Sequence, residues 1–431
     1  MNIAILSVSK KGKILSSKLK LLLSQDPTII NVDTYHKNIK NNIDNIFIAN
    51  EDNLKYDAII GIMATGILIR SIAKKIKNKA IDPAILAMDD NGKFTISLLS
   101  GHLGRANELT LKISKLINSE PVITTATDTN NKIGIDSLSN KYYWEIINKN
   151  EILEFNKAIL DEKNIRIFLN NNKNSNVRYI NDLEDFLTNK NKNTLEIIDL
   201  KDKEMSIKNI DNIFISSTIS NSVYNSNNKF SHDESSYNLS KNNKFELNNL
   251  INEKNSFKDL DFNNSYFKEN NFKHSDFKHT DFKDNYFDIF ANFNNNYIFF
   301  KQKKLVVGIG SRANIKKENV LNAIKIAMHN LKIPIGRIDA IATAEIKANE
   351  EGILKTAKHL KIPLKIVSLN EIRKLNNKTI SDSDFVKDKF NIPGVAEPSA
   401  LIIANKNENN SKLIHKKIAI DGVTVAVAVS N

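Results

Sequence analysis

Ser100-Gly101-His102-Leu103-Gly104-Arg105-Ala106-Asn107-Glu108-Leu109 stands where a strand hands over to a helix. Phe94 to Leu99 reads as a strand after the Asp90-Asn91-Gly92 turn, and Leu109, Ile113, Leu116 and Ile117 give the apolar stripe of the helix that follows. Two glycines let the backbone approach a ligand, and the N–H groups of the first helical turn favour an anion. Small, ionisable and hydrogen-bonding residues together make this junction a candidate site.

Working outward, the chain from Asn2 to about Ile135 alternates strand and helix. Ile3–Val8, Tyr56–Met63, Ala84–Met88, Phe94–Leu99 and Val122–Thr125 read as strands, with helices at Lys13–Leu23 and Ile67–Ile76. This predicts a layered α/β domain over residues 1–140, with ligands at the carboxyl ends of strands. Two further junctions fit. Gly61-Ile62-Met63-Ala64-Thr65-Gly66-Ile67-Leu68-Ile69-Arg70 brings Thr65 and the Gly66 backbone to a helix start, with Arg70 one turn on. Thr124-Thr125-Ala126-Thr127-Asp128 follows the last strand. Three such junctions on one α/β domain imply one shared cleft.

Residues 141–219 read as a small middle region, with a helix at Ile152–Leu160 and strands at Ile165–Leu169 and Ile213–Ser217. Residues 220–300 form a long low-complexity insertion rich in Asn, Ser and Lys, too poor in aliphatic residues to fold alone. Within it Phe257, Phe262, Phe267, Phe272, Phe277, Phe282 and Phe287 recur every five residues, similar to pentapeptide repeats, though too few for a comfortable stack. From Leu305 a second α/β pattern begins, giving a C-terminal domain over 301–431 that ends in a hairpin about Asp421-Gly422. The expected architecture is therefore two layered α/β domains joined by the middle region and the insertion.

In the second domain Gly308-Ile309-Gly310-Ser311-Arg312 follows a strand but lacks the third glycine and later acid of a dinucleotide fingerprint. Thr343-Ala344-Glu345-Ile346-Lys347 follows the next strand, and Val395-Ala396-Glu397-Pro398-Ser399-Ala400 opens a short apolar helix. Glu350 and Glu397 serve equally well as carboxylates at positive helix starts.

The composition narrows the chemistry. The 431 residues contain no cysteine, which excludes disulfides, thiolate nucleophiles and Cys-based metal sites, and no spacing of His and acids suggests a protein metal site. No apolar run approaches the roughly 18 residues of a membrane span, and Asn2–Val8 leads into a Lys-rich helix unlike a signal peptide, so a cytoplasmic location is expected. The net charge of +13 suits an anionic partner. No aromatic RNA-binding motif or zinc-finger spacing accompanies it, so neither nucleic acid nor membrane is expected as partner.

The first-domain motifs Gly61–Ile67, Asp82-Pro83-Ala84, Ser97–Leu109 and Pro121–Asp128 resemble, in this order, the N-terminal domain of the cobalt-precorrin 5A hydrolase (CbiG) family. Val307–Arg312, Ile341-Ala342-Thr343, Gly394–Ala400 and Gly422–Ala428 resemble its C-terminal domain. Many members carry Cys where this chain has Ser311, so thiol chemistry there is not essential in this protein. The resemblance implies a hydrolase of anaerobic cobalamin biosynthesis that opens the δ-lactone of cobalt-precorrin 5A and releases acetaldehyde. It implies no cofactor, since cobalt enters within the substrate. The implied partner is the anionic cobalt-corrinoid itself, with hand-over from neighbouring pathway enzymes. For this reaction His102 is the expected general base, oriented by Glu108 or Asp128, with backbone near Gly66, Gly101 and Gly104 holding the oxyanion. Arg70, Arg105 and Arg312 are expected on substrate carboxylates. Thr65, Ser100, Asn107, Thr125, Gly308, Gly310, Ser311, Thr343, Lys347, Glu397 and Ser399 complete the expected substrate contacts. The alternative is a non-catalytic corrinoid carrier, because the C-terminal half also resembles a stand-alone tetrapyrrole-binding protein.

Overall fold

The computed structural model describes residues 1–47, 56–78, 81–169, 178–190, 195–199, 289–294, 296–375, 379–381, 383–405 and 411–430. They build three sheets. The first runs β1 (Asn2–Ser7), α1 (Lys10–Ser24), β2 (Asn31–His36), α2 (Ile39–Phe47), β3 (Ala58–Ile62), α3 (Thr65–Ile72), β4 (Ala84–Met88), β5 (Phe94–Leu99), α4 (Ala106–Ile117) and β6 (Glu120–Val122). Its strand order is β2-β1-β3-β4-β5-β6. Every residue of β3 and β4 is buried, as continuous apolar runs between two helical layers should be. Ser9 caps α1 by accepting the Gly12 N–H at 2.9 Å.

Direction within this sheet corrects one expectation. β3 and β4 are parallel, with Ile62 beside Met88, but β5 is antiparallel to β4, so Leu99 pairs with Ile85 and Thr95 with Met88. The carboxyl end of β5 thus lies at the amino end of β4. β6 runs parallel to β5 and finishes at the same edge. The Ser100 and Thr124 junctions share one end of the sheet, while Thr65, Gly66 and Arg70 occupy the opposite end. The three junctions do not form one cleft.

The second sheet follows α5 (Ala126–Thr129) and α6 (Ile135–Lys141). It contains β7 (Trp144–Ile146), α7 (Ile152–Leu160), β8 (Ile165–Leu169), α8 (Ile180–Lys190), β9 (Leu195–Asp199), β10 (Ile289–Phe293) and β11 (Asn296–Gln302). The order is β7-β11-β10-β8-β9. Ile289 to Gln302 therefore belongs to a folded core, where Phe290 stacks on Phe168 with ring centroids 4.5 Å apart. The expected insertion boundary at residue 300 is too late for this reason. The Phe257–Phe287 repeat and the strand expected at Ile213–Ser217 lie outside the described residues.

The third sheet comprises β12 (Leu305–Ser311), α9 (Lys317–Leu331), β13 (Ala340–Ala344), α10 (Glu351–Leu360), β14 (Leu364–Val367), α11 (Leu369–Lys374), α12 (Asp384–Phe390), α13 (Ala396–Ala404), β15 (Ser411–Ile420) and β16 (Val423–Ser430). Its order is β14-β13-β12-β16-β15, with β15 and β16 as the expected hairpin. Fully buried Arg337 ties it to the preceding layer. Its Nε donates to the Tyr142 carbonyl at 2.7 Å, and Nη1 pairs with Asp339 at 2.7 Å.

Candidate functional site

The loop from Leu99 to Ala106 is built from inside. Left-handed backbone falls on Ser100 and Arg105, φ 56° and 66°, rather than on the glycines. Gly104 is required by close approach: a Cβ there would sit 2.5 Å from that of Ser100 and 2.8 Å from its carbonyl oxygen. The Ala106 and Asn107 N–H groups donate to the Ser100 and Gly101 carbonyls at 3.2 and 3.1 Å. The expected anion seat on those N–H groups is thus already filled by the loop itself.

His102 projects between two carboxylates. Nε2 lies 2.8 Å from Asp128 Oδ2 and Nδ1 lies 3.0 Å from Asp136 Oδ1, and the side chain is 9% exposed. Asn107 locks the outer acid by donating to Asp128 Oδ2 at 2.8 Å and to Thr125 Oγ1 at 2.9 Å, while Ser97 donates to Asn107 Oδ1 at 2.7 Å. Asp136 is buried at the start of α6 and also accepts from Asn156 Nδ2 at 3.1 Å. Asn140, on the same helix, donates to the carbonyls of His102 and Leu103 at 2.6 and 2.9 Å.

Burial pushes the imidazole pKa down, and hydrogen bonds to Asp128 and Asp136 outweigh it, raising the pKa to about 9. At neutral pH His102 is a cation whose two N–H groups both face carboxylates, so it has no lone pair with which to take a proton. The general-base role expected of it is corrected on this ground. Asp128, with its side chain 38% exposed, is the member of the pair that meets solvent. Glu108 does not orient the histidine; it lines a separate cavity with Arg105 on the far side of the loop. Arg105 donates to the Asn140 carbonyl at 2.7 Å and to the Tyr143 hydroxyl at 3.2 Å.

The expected contacts in the second domain sit elsewhere. Arg312 is exposed at the carboxyl end of β12, against the Asp421-Gly422 turn, with its N–H on the Gly422 carbonyl at 2.9 Å. Lys332, which ends α9, accepts from Lys141 at 3.0 Å and so places the His102 neighbourhood beside the amino end of β12. Seven residues of strand, roughly 20 Å, separate the two ends. Gly308 is spent on packing, since a Cβ there would be 1.9 Å from the Ala396 carbonyl oxygen, and a Cβ on Gly310 would be 2.5 Å from Thr424 Oγ1. Thr343, fully buried, donates to the Ile309 carbonyl at 2.7 Å. Glu397, 2% exposed, accepts from Ser381 Oγ at 2.6 Å and the Lys417 N–H at 2.9 Å, which spends both oxygens on the fold. Ser399 is sealed in the core, and Lys347 lies 3.5 Å from Glu350. Ser311 Oγ is buried without a partner. Thr343, Glu397, Ser399 and Gly308 are therefore corrected to core positions.

Sequence reasoning missed Asp136, Asn140 and Asn156. Gly134-Ile135-Asp136, a helix start with an acid in its first turn, was the available signal.

Residues 305–428 match the family described as "Cobalamin synthesis G C-terminus", and residues 49–128 match "Cobalamin synthesis G N-terminal". A protein named probable cobalt-precorrin-5A hydrolase from Methanocaldococcus jannaschii is 28% identical over 438 residues, spanning 100% of both chains. The cobalt-precorrin-5A hydrolase of Salmonella typhimurium is 46% identical over 84 residues, 20% of this chain and 24% of that one. The crystal structure of a cobalamin biosynthesis protein G homolog from Sulfolobus solfataricus superposes with a TM-score of 0.47 at 24% identity, covering 100% of this chain and 97% of that one. Residues 49–128 and 305–428 of this chain are thus similar to the two domains of one cobalamin-synthesis family.

Proposed function

We propose that this chain is a cobalt-precorrin-5A hydrolase that opens the substrate's δ-lactone and releases the former meso carbon with its methyl as acetaldehyde. Matches of residues 49–128 and 305–428 to the two domain models of one family, with end-to-end likeness to a protein named for this activity, support the reaction. The observation that carries the mechanism is the Asp128–His102–Asp136 alignment, which leaves one carboxylate facing solvent and the imidazole hydrogen-bonded behind it. Asp128 accepts a proton from the water that attacks the lactone carbonyl and returns it to the leaving ring oxygen as the acyl–oxygen bond breaks. The freed hydroxyl then loses its proton to Asp128 as the bond to the macrocycle breaks. The aldehyde carbonyl forms and the bonding pair passes into the macrocycle. His102 and Asn107 are positioning residues: both contact Asp128 Oδ2 and so leave its other oxygen to face outward.

The test is acetaldehyde release from cobalt-precorrin 5A, followed by coupled NADH oxidation with alcohol dehydrogenase. Wild-type release, with Asp128→Asn reduced at least a hundredfold, supports the reading. Binding of the corrinoid without acetaldehyde, in a chain confirmed to be folded, overturns it in favour of a carrier.

A further inference from the structure

A cavity of about 380 Å³ lies on the other face of the His102 loop, where the amino ends of β1, β3 and β4, the β7 layer and the end of the hairpin meet. Leu103, Gly104 and Arg105, the residues directly after His102, form part of its wall. Six basic side chains line it: Arg105, Lys112, Lys149, Lys303, Lys332 and Lys412. Two of the wall's carboxylates are already committed, Asp57 to Lys412 and the Asn2 N–H, and Asp82 to the Lys77 N–H. Glu108 and Glu145 are left against the remaining cations.

Lys112 is paired with Asp26 at 2.6 Å, but Lys149, Lys303 and Lys332 have no ion-pair or side-chain hydrogen-bond partner for their ammonium groups among the described residues. Lys303 is the telling one. It is half-buried on the segment joining β11 to β12, and its backbone is clamped by the Tyr143 carbonyl and by Arg337. Burial first, then Lys412, Lys149 and Arg105, push its ammonium below the ordinary lysine value against the pull of Glu145. A cation held among cations in a partly desolvated cleft is stabilised by a mobile anion. At 380 Å³ the cleft lies near the small end of the roughly 300–1,000 Å³ range of ligand sites, so it takes one sector of a macrocycle's rim rather than the ring.

Resting on the hydrolase reading above, we infer that this cleft is the seat for carboxylate side arms of the corrinoid, with Lys303 and Lys149 as the cations that engage them. The ring then lies against the cleft mouth, and the loop carrying His102 forms one wall of it.

The chain provides its own reporter. Trp144, its sole tryptophan, lines the cavity. Cobyrinic acid, a cobalt corrinoid with free carboxylates, is titrated against Trp144 fluorescence in the full-length protein, with its fully methylated ester as the uncharged control. The acid is expected to quench and to bind at least tenfold tighter than the ester. Lys303→Gln and Lys149→Gln should each weaken the acid tenfold or more and leave the ester's weak binding as it was. Thermal unfolding guards against misfolding: because Lys303 loses no partner, Lys303→Gln should melt no lower than wild type. Wild-type affinity for the acid in both variants overturns the inference even if acetaldehyde is released normally. Weakened binding in the variants of a protein that never opens the lactone keeps the cleft and discards the hydrolase reading.

Discussion

Two glycine-bearing segments in this protein look alike on paper and do opposite work. Gly101–Arg105 follows β5, Gly308–Arg312 completes β12, and each ends on arginine. In the first, side chains from β5, α4, α5 and α6 converge on His102. In the second, Gly308 is covered by α13, Gly310 faces Thr424 and Val395, and Arg312 is the exposed residue. Glycine at a strand end therefore reports close approach, and what approaches decides the meaning. Around His102 it is polar side chains from separate elements; around Gly308 it is a helix backbone.

The largest contrast should appear in turnover. Asp128→Asn should cut acetaldehyde release by about a thousandfold and His102→Gln by about a hundredfold, whereas normal rates in Asp128→Asn would dissolve the distinction between the loops. The next is a stability contrast in the other direction. Gly308→Ala must displace the Ala396 carbonyl and should cost about 3 kcal/mol or more, read as a lowered denaturant midpoint. Unaltered stability there would mean that α13 is not seated as described.

A third test uses pH. The His102 pKa is raised on folding from an ordinary 6.5 to about 9, so its contribution is fully present below pH 6.5 and is lost as pH rises towards 9. Across that window wild type should lose roughly 3 kcal/mol more than His102→Gln in urea titrations. Parallel curves would show that the carboxylate clamp is not closed in solution. The smallest effect is expected at Arg312, far from the histidine: Arg312→Gln should change kcat and KM less than threefold. A collapse of either would return the second loop to the substrate.

Much of the fold was legible because burial writes itself into residue type. β1, β3, β4, β12 and β16 are near-continuous apolar runs and were found within a residue or two. β2, Asn-Val-Asp-Thr-Tyr-His, was missed because an edge strand buries little, and β6 was placed too late because its Pro121 suits only an edge. The candidate site was half legible. Proximity of His102, Asn107, Thr125 and Asp128 followed from the junctions, but Asp136 comes from the next layer and no local pattern announces it. The merging of Arg70 with that group failed on strand direction. A five-residue turn between Met88 and Phe94 cannot cross a sheet, so β5 had to reverse. That reversal moved the histidine to the far edge.

The order β7-β11-β10-β8-β9 has a consequence for how the chain is made. Two of the three inner strands of the middle sheet emerge last. Ile289 follows Asp199 by 90 residues (289 − 199), a wait of roughly 5 to 20 seconds at common rates of translation. Until then β8 has no partner on the side that β10 will cover, and β7 has none at all within its sheet. The first sheet is complete by residue 122, well before this. Nascent chains halted anywhere between these points should therefore carry a folded amino-terminal layer beside open strand edges, the species a chaperone binds and the one that aggregates when none is present.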